Sequence, residues 1–320
     1  MIPYDTYFGY KHRYEDTYAG LPVIEVVPEE DEEIPDPASV AVRISAEMDD
    51  DYDVDEAFDA LLKRVDTAKV PALVIGEWED CYGTSSEHLV GLLVDNAARF
   101  PGLRSLFLGA ISSDEAEISW IQQSDVTPLL EAFPWLERLE VRGGTGLALR
   151  PVRHESLRML RFETGGLPAA VVRAVGACDL PALEHLDLWL GEENYGGDTT
   201  VADLAPILSG ERLPALRHLG LQDSEIQDEI AAAVAAAPVV ARLESLALSM
   251  GMLTDAGAEA LLGGQPLTHL HALDLHHHFL TDAMVARVTE ALPGVEVDLS
   301  KQEEAEEDEG EVWRYVAVSE

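Results

Sequence analysis

Apolar residues recur along this chain as a triplet: one leucine, a second three residues later, and a third two residues after that. Five complete triplets begin at Leu103, Leu183, Leu216, Leu243 and Leu270. Four conservative variants begin at Val70, Leu136, Leu157 and Leu292. Successive triplets start 21 to 33 residues apart. One triplet arises easily by chance, whereas nine in a row at this spacing predict a repeat array.

The segments between the triplets carry apolar residues at three- and four-residue spacing, which is typical of amphipathic helices. Seven segments are predicted as helices: 86–100, 126–133, 168–177, 201–208, 226–236, 255–262 and 282–292. An atypical first unit precedes them, with a strand at 40–44 and a helix at 55–65. Alternating strands and helices predict an α/β solenoid, in which a parallel sheet lines the concave face and helices form the convex face.

Repeats of this composition indicate a leucine-rich-repeat solenoid, and the long helical units resemble the ribonuclease-inhibitor-like class. We expect residues 1–38 to form an N-terminal arm that caps the array and residues 39–300 to form the solenoid. Residues 301–320 are predicted to be an acidic linker followed by a strand-like tail, because seven of the nine residues in 303–311 are acidic. The tail could close the C-terminal edge of the sheet or dock elsewhere.

Four stretches go beyond the generic repeat: Tyr18–Val23, Glu117–Val126, Leu186–Gly191 and Leu273–His278. With them, nearly the whole chain resembles an uncharacterised bacterial family of cytoplasmic leucine-rich-repeat proteins. The resemblance implies an accessory role in a modification or biosynthetic pathway. It supplies no catalytic residues.

The charge is strongly unbalanced, with 61 acidic and 21 basic residues and a net charge of −40. Binding to nucleic acid or to an anionic membrane needs basic residues, so we expect neither. A protein partner with a basic patch fits better. The two cysteines fall in different repeats, and neither a signal peptide nor an apolar run of membrane-spanning length is evident, so we expect reduced thiols and a cytoplasmic location.

Residues that flank the triplet leucines point away from the core, which places three columns of side chains on the concave face. The middle of the array supplies the candidate partner-binding residues, which we call the strip: Arg138, Glu140, Arg142, Arg161, Glu163, His185, Asp187, Trp189, His218 and Gln222. Their charges alternate in sign, which predicts either a ladder of ion pairs that orders the sheet or a recognition surface where arginines anchor a carboxylate or phosphate. Trp189 is either an exposed hot spot or is buried under loops.

Three insertions, 76–85, 109–124 and 191–198, follow strands and emerge at the C-terminal rim, where α/β proteins usually bind ligands. They contribute Trp78, Trp120 and Tyr195 as candidate contact residues. Trp120 and the isoleucines around it either pack down on the rim or form a docking patch for a partner.

A metal site at Asp274, His276 and His278 would require the chain to turn after Leu275, and we expect instead a polar strand end without metal. No phosphate-binding loop or nucleophile signature is present. The sequence therefore favours a non-enzymatic protein-interaction scaffold that needs no cofactor and binds through the concave face and the rim loops. The alternatives are an acidic inhibitor or mimic that engages a basic enzyme, and a metal-dependent enzyme at His185/His218 or Asp274/His276.

Overall fold

The computed structural model describes residues 16–28, 36–47, 50–308 and 311–319. The first fifteen residues of the predicted arm and the acidic run at 29–33 lie outside them. In the described ranges twelve strands form one sheet in chain order. They are β1 Thr17–Tyr18, β2 Leu21–Glu25, β3 Ala41–Ile44, β4 Ala72–Ile75, β5 Ser105–Leu108, β6 Arg138–Arg142, β7 Met159–Glu163, β8 His185–Gly191, β9 His218–Ser224, β10 Ser245–Ala247, β11 Ala272–Asp274 and β12 Glu296–Asp298.

The first two strands are antiparallel, and every later pair in the sheet is parallel. Helices occupy most of the connections between the parallel strands. Their bounds are α1 Val54–Arg64, α2 Glu87–Asp95, α3 Thr127–Ala132, α4 Ala169–Ala177, α5 Val201–Ser209, α6 Gln227–Ala235, α7 Asp255–Leu262 and α8 Asp282–Ala291. The predicted α/β solenoid is confirmed, and each predicted helix is present within a few residues of its expected bounds.

The register of the parallel strands explains why the apolar triplets recur along the chain. The central residues of the first eight triplets lie directly opposite one another on successive strands, whereas in the ninth triplet the third residue, Val297, takes this position instead of Val295. This column comprises Leu73, Leu106, Leu139, Leu160, Leu186, Leu219, Leu246, Leu273 and Val297. All eight leucines are at most 1% exposed. Truncating a buried leucine to alanine typically costs about 2–5 kcal/mol, so the column is the main stabilising core of the array.

Polar residues at the helix starts fix where the helices begin. Asp53 and Glu56 form a reciprocal capping box at α1, and Thr200 and Asp203 form one at α5. Thr281 accepts a hydrogen bond from the Met284 N–H at α8. No helix in the described part of the chain has both the length and the apolar character that a bilayer crossing requires.

The C-terminal segment is exposed at residues 304–307, as expected of a solvated linker, but it also contains regular structure. Two short strands, β13 Glu306–Asp308 and β14 Glu311–Trp313, pair as an antiparallel hairpin. Residues 314–319 then leave the hairpin and return to the sheet, where Val316 is buried. Of the two fates that the sequence left open for the tail, the structure shows docking at the strand ends.

Candidate functional site

Ion pairs between neighbouring strands hold the strip together. The Arg161 guanidinium lies 2.8 and 3.0 Å from Oδ2 of Asp187 on the next strand. On its other side it lies 3.5 Å from carboxylate oxygens of Glu140 and Glu163. The alternation of sign along the columns therefore predicted real pairs.

Two more arginines complete the ladder. Nε of Arg138 donates to Glu140 at 2.5 Å, and Nη1 of Arg142 donates to Glu163 at 3.0 Å. All four side chains are at least nine-tenths buried. Nη1 of Arg138 and Nε of Arg142 lack a hydrogen-bond acceptor, so the pairing is extensive but leaves two donors over.

The pairing sets the protonation states of the strip. Burial by itself would raise the pKa of Glu140, but the Arg138 and Arg161 charges hold it below its ordinary value. Burial acts in the same way on Asp187, and the Arg161 charge together with a hydrogen bond from His185 brings its pKa far below the ordinary value. Both side chains are therefore held in the ionised form more strongly than carboxyl groups of ordinary pKa.

Gly220 makes the room that Asp187 needs. It lies opposite Asp187 on β9, and a β-carbon at this position would collide with the Asp187 carboxylate. The carboxylate also accepts a hydrogen bond from the Gln222 amide. Asp187 is thus enclosed by an arginine, an amide and a residue without a side chain.

Polar contacts continue from the strip toward the C-terminal end of the array. The Ser249 hydroxyl lies 2.7 Å from the Gln222 amide oxygen and 2.9 Å from Asp274. Asp274 in turn bonds Nδ1 of His276 at 2.8 Å. A series of polar contacts therefore links Asp187 to His276 across four strands, in which the single Ser249 proton is shared between two acceptors.

His185 and His218 stack face to face, with ring centroids 3.9 Å apart and planes 12° from parallel. Together with Asp187 they place potential metal-ligand atoms within 4.8 Å of one another. A zinc ion bound to imidazole lies in the ring plane at about 2.0–2.1 Å from the nitrogen. Two nearly parallel rings share no such point, so the stacked arrangement does not fit a common ion.

A second group at the end of the array consists of Asp274, His276 and Asp298. The predicted third member was His278. The chain does turn after Leu275, because His277 has a φ of 53°. His278 nevertheless turns away and bonds the Leu299 carbonyl at 3.0 Å. The side chains of both candidate metal groups therefore make their hydrogen bonds chiefly with other polar atoms of the protein.

Two of the three predicted rim aromatics are not freely exposed. Trp78 is 2% exposed and donates from Nε1 to the Thr84 carbonyl at 2.8 Å. Tyr195 is half-buried in the loop that follows β8. Both side chains therefore contribute to the shape of the rim loops.

Trp120 is exposed although its neighbours are not. The loop isoleucines Ile111, Ile118 and Ile121 are fully buried, as one alternative predicted, but the Trp120 indole is 52% exposed. The Tyr82 ring meets it edge to face at a centroid distance of 6.1 Å. The isoleucines anchor the loop, and the indole is left at the surface.

Carboxylates lie beside this indole. The Tyr82 hydroxyl donates to the backbone carbonyl of Glu115 at 3.1 Å, and the Glu115 side chain pairs with Arg43 at 3.3 Å. Burial, followed by repulsion from Glu115 and other carboxylates, raises the pKa of Glu77 to about 7. We define Tyr82, Trp120, Glu77 and Glu115 as the rim patch.

A left-handed backbone conformation recurs near the C-terminal ends of four neighbouring strands. The sequence pattern did not predict it. It occurs five residues after four mutually paired strand residues. The members of this left-handed column are Asp223, Met250, His277 and Lys301, with φ of 57°, 67°, 53° and 56°. Glycine, asparagine and aspartate adopt this conformation at the lowest cost, so Met250 and Lys301 in particular are held there by the surrounding structure.

The C-terminal tail runs along the left-handed column. His277 Nε2 donates to the Tyr315 carbonyl at 3.1 Å, and the Ala317 N–H donates to the Met250 carbonyl at 2.7 Å. The Val318 N–H donates to Asp223 Oδ1 at 3.0 Å. The tail therefore crosses the sheet perpendicular to its strands.

The end of the tail reaches the loop after β5. The Ser119 hydroxyl donates to the Ser319 carbonyl. Val318 packs in a cluster with Ile118, Trp189 and Met250. Trp189 is only 3% exposed, which agrees with the alternative that it is covered.

Comparison with known proteins identifies a relative of this fold. A scan against protein-family models gives no match, and a search of the curated proteins gives none. Among solved structures, the crystal structure of a Bacteroides fragilis protein is similar with a TM-score of 0.77 and 31% sequence identity. The match covers 83% of this chain and 76% of that chain.

Proposed function

The chain belongs to the same family as the Bacteroides fragilis protein, and from this premise we propose that it is a leucine-rich-repeat protein of the ribonuclease-inhibitor-like class that binds another protein without catalysis. The eight triplets in continuous register support the repeat class. The buried, unpaired thiols of Cys81 and Cys178 fit a reducing compartment, and the cytoplasm is the proposed location.

The exposed Trp120 indole is the observation that carries the proposal. Large aromatic rings at the surface are enriched among residues that dominate binding free energy. This ring is held in place by the Tyr82 ring and by buried isoleucines, so little conformational entropy would be lost when a partner covers it. The strip is a weaker candidate because its charges already pair with one another.

The partner is expected to be basic at its contact surface. Glu115 and Glu77 lie at the rim patch, and Glu25, Glu47 and Asp50 add to the negative field there. Among these carboxylates stands one arginine, Arg43. An arginine or lysine of the partner could stack on the Trp120 ring and pair with Glu115. Association should therefore weaken as salt is added.

The proposal is tested by affinity capture at low salt from the lysate of the source cells, using the native chain and two tryptophan variants. Trp120→Ala removes the rim indole. Trp135→Ala is the matched control, because Trp135 is 64% exposed and precedes β6, at the opposite edge of the sheet. We expect the native chain and W135A to retain the same protein, and W120A to lose it. Equal retention by all three would refute a role for the rim patch.

A further inference from the structure

The tail occupies a groove at the strand ends that is built to hold a short polypeptide segment. We define the rim groove by Ser119, Gly165, Asp223, Met250 and His277, the residues that line residues 315–319. Their polar contacts are with tail backbone: two N–H groups and two carbonyls of the tail are bonded. Backbone contacts place little demand on the sequence of the segment that is held.

Side-chain selection in the groove comes from one apolar pocket. Val318 packs against Ile118, Trp189 and Met250, and Val316 is 4% exposed. The two valines flank Ala317, where the chain bends. The groove thus favours a segment with small apolar residues in an apolar-x-apolar pattern.

The tail leaves part of the groove unsatisfied. Asp223 is fully buried, and its Oδ1 accepts the Val318 N–H. Its second oxygen, Oδ2, has no hydrogen-bond partner. Burial raises the pKa of Asp223 well above its ordinary value and favours the protonated carboxyl, so a segment that brings a hydrogen-bonding group to Oδ2 would be held more tightly than the tail.

Gly165 shows how closely the groove is fitted to a backbone. A β-carbon at this position would collide with the Ser319 carbonyl and with the Ser119 hydroxyl. The segment that precedes the tail, from Glu304 to Glu307, is exposed. The tail can therefore leave the groove without removing any leucine from the core.

We propose that the rim groove is a binding site for a short segment of a partner protein, with an apolar-x-apolar pattern and a nearby group that hydrogen-bonds Asp223, and that the tail occupies this site in cis. This rests on the proposed function, because both assign a binding role, but it uses a surface that does not include Trp120. The partner segment and the tail compete for the same hydrogen bonds. Binding in trans is therefore weakened by the fraction of time that the tail is docked.

The test uses a fluorescently labelled synthetic peptide with the sequence of residues 313–319 as the probe. The full-length chain is compared with Ala317→Pro, which removes the N–H that Met250 accepts. Ala305→Pro is the matched control, because Ala305 is exposed in the segment before the hairpin. We expect the peptide to bind A317P at least about tenfold more tightly than the native chain or A305P, as expected when a competing docked state is removed.

A second pair of variants locates the peptide. Adding Gly165→Ala to A317P should abolish binding, because the new β-carbon occupies the peptide's path. Adding Gly91→Ala should leave binding unchanged, because a β-carbon there meets no atom within 4 Å. Equal melting temperatures would show that all variants fold.

Several outcomes would overturn the proposal. These are no binding to A317P, equal binding to A317P and the native chain, and binding that persists with G165A. Concentration-dependent dimers of the native chain with exchanged tails would assign the groove to a second copy instead of a partner. Failure of these peptide assays with continued Trp120-dependent capture would refute the groove and leave the rim patch standing.

Discussion

The strip and the rim differ in how their polar groups are satisfied. In the strip, each carboxylate contacts an arginine of this chain, and Glu140 and Asp187 are almost inaccessible to water. At the rim, Trp120 is exposed, carboxylates outnumber arginines, and one oxygen of the buried Asp223 has no donor. Charge in the middle of a sheet therefore does not by itself indicate a binding site. Unsatisfied polar atoms occur in both regions, two arginine nitrogens in the strip and one Asp223 oxygen at the rim, but the exposed Trp120 ring lies at the rim.

The largest expected effect on stability comes from removing Arg161, which joins the ion pairs of the strip. Arg161→Ala would leave Asp187 and Glu140 buried without their shared counter-charge, which should lower the free energy of unfolding by about 3–5 kcal/mol. Urea unfolding followed by circular dichroism measures the loss. Such a loss would confirm that the ladder stabilises the fold.

Arg217→Ala is the control for the Arg161 variant. Arg217 pairs with Glu244 at 3.7 Å while both side chains are about half exposed. Exposed pairs contribute about 0–1 kcal/mol, so this variant should unfold close to the native midpoint. If both variants lose the same stability, the contrast between strip and surface is wrong.

Acid should weaken the strip through its stacked histidines, which is the second largest effect. Burial lowers the pKa of both His185 and His218, and the charge of His185 lowers the pKa of His218 further. The unfolded chain binds protons below pH 6.5 where the folded chain does not, so stability is lost as the pH falls from 6.5 toward the folded pKa values.

His218→Phe keeps a ring against His185 but cannot be protonated. We expect this variant to lose less stability than the native chain when the pH falls from 7.5 to 5.5, measured by urea midpoints. Its lost hydrogen bond to Ser245 lowers stability equally at both pH values. Parallel losses in the two proteins would show that His218 is not the acid-sensitive group.

The smallest effect is expected from Glu77 at the rim patch. Burial and neighbouring carboxylates raise its folded pKa to about 7, so the ionised side chain opposes folding and stability falls as the pH rises from about 4.5 through 7. Glu77→Gln should raise the melting temperature at pH 8 more than at pH 4.5. An equal shift at the two pH values would place the Glu77 pKa near its ordinary value.

Sequence predicted the periodic part of the molecule. Leucine triplets fix strand register, and register fixes which side chains face one another, so the pairing of Arg161 with Asp187 followed from the columns. The burial of the loop around Trp120 was predicted only in part. The loop isoleucines and the indole are all apolar, but the isoleucines are buried and the indole is exposed.

The features that escaped prediction depend on contacts distant in sequence. Met250 and Lys301 give no local signal for a left-handed backbone. The docking of the tail depends on Ser119, two hundred residues before Ser319. Burial of Trp189 follows from the same contact and could not be read from its own repeat.

The tail also changes how the molecule should unfold. In a repeat array each unit contacts only its neighbours, and stability is close to a sum of nearest-neighbour terms, so an end can fray while the middle persists. Here a single short segment bonds His277 after β11, Met250 after β10, Asp223 near the end of β9 and Ser119 after β5. It can complete those bonds only when every intervening strand is in place. The segment thus couples distant repeats into one cooperative unit. After its release, the repeats at the end of the array would again unfold separately from those in the middle.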